Sequence, residues 1–194
     1  MSVINVSELR GYRILSIDPG TTMLGVAVFE IDCTTEVLKL IHAASFRIDR
    51  LSMRYPQIVA VHGERVGKLH AVQESIYKML ITWQPDEVVS ESPFLGRFPQ
   101  AFAALVECFN SIRKALMTYD RSMPLKYMDP ASIKVAVGVS GKSGDKSLMA
   151  KAIKGLPDLA IDPEVDVESL DEHGIDAVAA GYAQYWTYFP KQKK

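Results

Sequence analysis

The stretch Tyr12-Arg13-Ile14-Leu15-Ser16-Ile17-Asp18-Pro19-Gly20-Thr21-Thr22 decides the fold. Tyr12 to Ile17 reads as a buried strand, and Asp18-Pro19-Gly20 is a turn tripeptide that stops it. Working outward, Leu24 to Ile31 and Val37 to Ile48 have the composition of two further strands. The polar turn around Asp32 to Thr35 joins them, so the first three strands form a meander.

Beyond the meander the period changes. From Pro56 to Trp83 the residues Val59, Val66, Leu69, Val72, Ile76, Leu80 and Trp83 recur at helical spacing. Asp86 to Ser90 is a short strand ending at Glu91, followed by a Pro/Gly/Phe-rich loop from Ser92 to Pro99. A helix is predicted over Gln100 to Tyr119, with Phe102, Leu105, Val106, Phe109, Ile112 and Leu116 on one face. Then come a short strand (Leu125 to Met128), a helical turn (Ala131 to Val137), a loop (Ser140 to Lys146) and a helix (Ser147 to Lys154). An acidic loop, Pro157 to Glu168, leads to a last helix from about Leu170 to Tyr188. A meander followed by alternating helix and strand implies an α/β fold: a mixed sheet flanked by helices. A chain of 194 residues has the length of one domain, and none of its segments reads as a linker.

Three acids stand out by position. Asp18 closes the first strand and Glu91 closes a later one, so each head lies at a strand end, out of the core. Taken alone, Asp18 is a turn former and Glu91 a solvated strand-end acid. Asp176 is harder to dismiss. It adjoins a run of small residues, Ala177, Ala179, Ala180 and Gly181, that lets a helix pack closely on a sheet. His173, three residues earlier, shares its helical face. An inward-facing Asp beside a His is costly unless something pairs with it, and a metal ion would be that partner. Two strand-end carboxylates, a helix carboxylate and a His are what a two-ion phosphodiesterase needs, with two Mg²⁺ ions about 4 Å apart.

With these residues in view, the sequence resembles the RuvC-type Holliday-junction resolvases over most of its length. Ile14-Leu15-Ser16-Ile17-Asp18-Pro19-Gly20-Thr21-Thr22, with Gly25 beyond, is similar to the family's first motif. Glu91-Ser92-Pro93-Phe94 is similar to the second, and His173-Gly174-Ile175-Asp176-Ala177 to the last. Lys134 and Lys146 flank Val137-Gly138-Val139 as two functional lysines do in the family; the register of Lys142 against Lys146 stays open. The resemblance implies an RNase H-like fold, a homodimer, and symmetric nicking of four-way junctions. It implies Asp18, Glu91, His173 and Asp176 as ligands of two Mg²⁺ ions, with Mn²⁺ as a substitute and Asp171 or Glu172 as rivals to His173. It implies that Lys146 assists catalysis, that Lys134, Lys142 and Lys146 contact DNA, that Phe94 wedges into the junction, and that the helix from Gln100 packs on its dimer mate. The segment ahead of the first strand and the ending Lys191-Gln192-Lys193-Lys194 depart from the family's pattern, which points to a divergent member, with a bacteriophage as one source.

The bulk charge argues the other way, with 22 basic against 23 acidic residues and a net charge of -1. Local charge answers it. Between Arg121 and Lys154, seven bases (Arg121, Lys126, Lys134, Lys142, Lys146, Lys151, Lys154) face two acids, Asp129 and Asp145, a plausible phosphate track. From Gly155 to Asp176 there are eight acids and no Lys or Arg. Cys33 and Cys108 form no ligand-like cluster, which suits a reducing cytosol. With neither a signal peptide at its start nor the roughly 20-residue apolar run of a membrane helix, the chain is expected in the cytoplasm of a bacterium or of a phage host.

Three other classes share parts of this pattern. An actin-like ATPase shares the first loop but needs two domains. A P-loop at Gly141-Lys142-Ser143 fails because Ala136 stands where a Gly is required. A junction-binding protein without catalysis should have lost an acid, and none is missing. The nearest enzymatic alternative is an RNase H-like nuclease acting on RNA.

Overall fold

The computed structural model describes residues 10–93, 99–140 and 147–190. The expected positions Phe94, Lys142 and Lys146 lie outside them. The first three strands, β1 (Tyr12–Asp18), β2 (Met23–Ile31) and β3 (Leu38–Arg47), pair antiparallel as the meander requires. Two more strands, β4 (Glu87–Glu91) and β5 (Leu125–Met128), add in parallel on the β1 side. A sixth, β6 (Leu159–Ile161), pairs in parallel with β3, giving the order β5-β4-β1-β2-β3-β6. The fold is therefore the mixed α/β sheet expected.

Helices cover both faces. One face carries α1 (Ile48–Ser52), α2 (Pro56–His62), α3 (Glu64–Trp83) and α4 (Pro99–Tyr119); the other carries α5 (Pro130–Ala136), α6 (Ser147–Lys154) and α7 (Glu172–Tyr188). Because strand side chains alternate, β1 sends Leu15 and Ile17 to the first layer and Ile14 and Ser16 to the second. Ile14, Leu15, Ile17, Leu24, Val26 and Val28 are all fully buried, each worth about 1.5–3 kcal/mol of transfer free energy.

The small-residue run of α7 does what its composition suggests. Ser16 Oγ donates to the Ala177 carbonyl at 2.7 Å, and Ala177, Ala179 and Ala180 are buried. A Cβ on Gly181 would lie 2.2 Å from the Phe29 ring, so only glycine lets the helix settle this low.

Three expectations needed adjustment. The helix predicted over Pro56 to Trp83 is two helices, broken at Gly63, whose φ of 85° suits glycine. Val66, expected on the core face, is 41% exposed because it borders a groove between α3 and α4. The acidic loop contains β6, too short to leave a periodic signal. Its acids have local duties: Asp162 pairs with Lys39 at 2.6 Å, Glu168 pairs with Lys154, and Asp166 accepts from the Glu168 amide.

Candidate active site

Asp18 and Glu91 end two adjacent strands, β1 and β4, that run parallel with Ile17 opposite Ser90. Both carboxylates thus emerge at the same end of the sheet, one strand spacing (about 4.8 Å) apart along the ladder. Asp18 shares the parity of Ile14 and Ser16, and Glu91 that of Val89, so both belong to the face covered by α7.

The first turn of α7 completes the group. Asp171 caps the helix, accepting from the amides of His173 at 3.1 Å and Gly174 at 3.0 Å, and Ser45 Oγ on β3 donates to the same carboxylate. Burial works to raise the Asp171 carboxyl, but those hydrogen bonds hold it below the usual range. The helix start is therefore latched to the sheet. From that position His173 Nδ1 reaches Asp18 Oδ2 at 2.7 Å, and this hydrogen bond raises the imidazole above its ordinary pKa against the pull of burial. Asp176 follows one turn later.

Glu91 reports how crowded the negative charge is. Burial, followed by the fields of Asp18 and Asp176, pushes its carboxyl up to about 7, with Lys134 opposing from α5. Asp129, which caps α5 through the Ser132 amide, adds to the rise. Among the described residues, no three His, Cys, Asp or Glu side chains are already gathered as a metal cage. One oxygen of Asp18 is taken up by His173. The donors nonetheless suit a hard divalent cation. They are carboxylate oxygens with one imidazole, and at Glu91 the burial and acidic neighbours outweigh the opposing Lys134.

Asp18, His173, Glu91, Asp176 and Lys134 thus share one neighbourhood, whereas Asp171 is committed to its cap. Ser45 and Asp129 were missed, since each acts through contacts that have no local signature. Gly25 has a steric reason to be glycine. It pairs with Asp18 across the β1–β2 ladder, and a Cβ there would meet the His173 carbonyl oxygen at 1.9 Å. Backbone cannot yield as a flexible side chain would. Gly25→Ala is therefore expected to lower stability by about 2–3 kcal/mol, at the upper end of overpacking costs, with α7 lifted from the sheet. A thermal melt within about 1 °C of the parent would contradict that contact.

No family model matches the chain. Among curated proteins, the crossover junction endodeoxyribonuclease RuvC of Thermomicrobium roseum is 28% identical over 176 residues, covering 89% of this chain and 93% of that one. RuvC of Bacteroides fragilis is 25% identical over 142 residues, 70% of this chain, and the match spans 64% of that protein's length. Among solved structures, Thermus thermophilus RuvC in complex with its Holliday junction substrate superposes with a TM-score of 0.66 at 18% identity, over 93% of this chain and 98% of that one. That last likeness is one of fold. In sequence and in fold, the chain is similar to the RuvC-type Holliday-junction resolvases, and its mixed sheet flanked by helices has the RNase H-like fold.

Proposed function

We propose that the protein is a structure-specific endonuclease that resolves four-way and other branched DNA junctions, acting as a homodimer through a single nuclease domain. The observation that carries this reading is the pair of strand-end carboxylates, Asp18 and Glu91, facing His173 and Asp176 of α7, with Glu91 driven up to about 7 by its acidic neighbours. The relatives named as crossover junction endodeoxyribonucleases support the choice of substrate.

Asp18, Glu91, His173 and Asp176 would hold two Mg²⁺ ions, or Mn²⁺ in their place. Bound there, the ions would supply Lewis-acid polarisation of the scissile phosphate and make water a competent nucleophile at neutral pH. The protein's own part is placement. β1 and β4 set the two strand-end carboxylates side by side, and the Ser45–Asp171 latch fixes the height of His173 and Asp176 above them. Lys134 brings positive charge beside Glu91, where a phosphate would enter, with Lys142 and Lys146 as further DNA contacts, Lys146 also assisting catalysis, and Phe94 as the junction wedge.

For the dimer, the support is the first half of α4. Phe102, Leu105 and Val106 are only partly covered and belong to neither core cluster, and the stretch from Pro99 to Val106 carries no charge. Such a surface suits a second copy of the same helix. Light scattering should give twice the 21.5 kDa of one chain; a monomer at working concentration would remove symmetric nicking from the proposal. As a nuclease acting on branched DNA, the protein would work in the cytoplasm; among the described residues no helix is long and apolar enough to cross a membrane.

The deciding experiment is cleavage of a labelled synthetic four-way junction with Mg²⁺, Mn²⁺ or EDTA, alongside linear duplex DNA and duplex RNA. Paired nicks in the junction, lost in EDTA, are expected. Preferential cutting of the RNA would move the protein to the alternative class.

A further inference from the structure

About half of the described cations on this surface are paired with carboxylates. Arg10 pairs with Asp86, Arg13 with Glu30, Arg47 with Asp49, Arg65 with Glu107, Lys68 with Glu64 and Lys126 with Glu87. Arg113 differs. Among the described residues it pairs with no carboxylate; its Nη2 donates to the Tyr127 hydroxyl at 2.7 Å and its Nη1 to Asn110 Oδ1 at 3.3 Å. Both acceptors are neutral, so the guanidinium is held in place with its charge uncompensated.

The Tyr127 ring is fixed as well. It packs edge-on against Phe109 at 5.3 Å between centroids, and the Arg113 guanidinium carbon lies 5.7 Å from its centre. Tyr127 nevertheless remains 40% exposed, on the outermost strand of the sheet. Its location adds the second argument. It lies opposite Ser90, and the next residue, Met128, lies opposite Glu91. The pair therefore flanks the end of the sheet that bears the acidic group, on the opposite face from α7. Lys114 and Arg121, also without a carboxylate partner among the described residues, lie on a neighbouring face of α4 and its following turn, beside Gln73 of α3. Asp120 between them is engaged with the amide and hydroxyl of Ser122.

A planar cation pre-ordered by neutral acceptors, set beside an exposed aromatic ring, matches a sugar-phosphate strand: the guanidinium takes a phosphate and the ring takes the apolar face of a sugar or base. We propose that Arg113 and Tyr127 form a DNA-strand contact outside the nuclease centre, which guides one arm of the branched substrate past β5. This rests on the reading of the protein as a junction nuclease.

The test is binding of a fluorescent four-way junction in EDTA, measured across a salt series. Arg113→Ala should weaken binding 3–10-fold and make the plot of log K against log salt shallower by about one, the loss of one phosphate contact. Tyr127→Ala should weaken binding to a smaller degree and leave that slope nearly unchanged, and Tyr127→Phe should bind more tightly than Tyr127→Ala. Lys68→Ala, which removes a cation already paired with Glu64, serves as the control and should leave the slope as it is. If the parent protein binds no junction, the proposed function fails. If the parent binds and Arg113→Ala shows the same affinity and slope while retaining the parent's melting temperature, this contact is overturned.

Discussion

Asp18→Asn should reduce Mg²⁺-dependent nicking of a four-way junction by about a thousandfold or more while junction binding in EDTA persists. The size follows from what the carboxylate would do. Ligation at a two-ion centre is worth several kcal/mol in the transition state, and about 4 kcal/mol is a factor of about a thousand. Asparagine has nearly the same shape, and Asp18 lies at the end of β1 where its head is outside the apolar layers, so the fold has little reason to change. A second readout comes from His173. Its imidazole is raised chiefly by the hydrogen bond to Asp18, so in Asp18→Asn its titration midpoint, followed by NMR in metal-free protein, should move down. Because the raised His173 contributes stability below its folded pKa that is lost as pH rises through it, the parent's advantage over the variant from this pair should be greatest at acidic pH. Undiminished nicking by Asp18→Asn would remove the centre from consideration altogether.

Asp18 and Asp176 mark how far the sequence could be read. Asp18 was legible because a strand and its stop lie side by side in the chain, and the turn chemistry of Asp-Pro-Gly locates the carboxylate at a strand end without knowledge of the rest. Asp176 was legible through its small-residue neighbours, whose composition has only one economical use. Ser45 was not, since its partner Asp171 is 126 residues away and a serine in a strand has no preferred role. The break at Gly63 was hidden for a related reason. The apolar period runs on through it because both pieces lie over the same side of the sheet, and periodicity reports facing, not continuity. β6 escaped because three residues carry no period, and its pairing with β3 depends on Leu38 to Leu40, far upstream. The clamp at the far end of α7 was equally silent: buried Glu87 accepts from Tyr12 at 3.0 Å, from Lys126 at 2.8 Å and from the Tyr188 hydroxyl, tying together residues from four elements. Local signals located the strand-end carboxylates and the close-packed helix. Long-range contacts hold them in register.

Glu91→Gln should abolish nicking and, in the absence of metal, make the protein more stable at alkaline pH. The sign follows from the direction of the shift. Burial and the neighbouring acids push Glu91 up from 4.5 to about 7, so between those values the folded state holds a proton that the unfolded state has released. Stability is then lost as pH rises from about 4.5 to 7 and stays lost above it. A shift of this size has a ceiling of about 3 kcal/mol, and about half of that is expected for a carboxyl still partly open to water. The variant cannot ionise there, so it should melt about 3–6 °C above the parent at pH 8 and show little difference at pH 4.5. Mg²⁺ should narrow the gap by stabilising the parent at pH 8 more than the variant, since binding to the folded form alone raises the melting temperature. An active site that gains stability when its acid is neutralised is one whose charge is kept for a ligand. If the two proteins melt together at pH 8, and divalent ions move neither, Glu91 is a strand-end acid in water and the two-ion reading loses its second ligand.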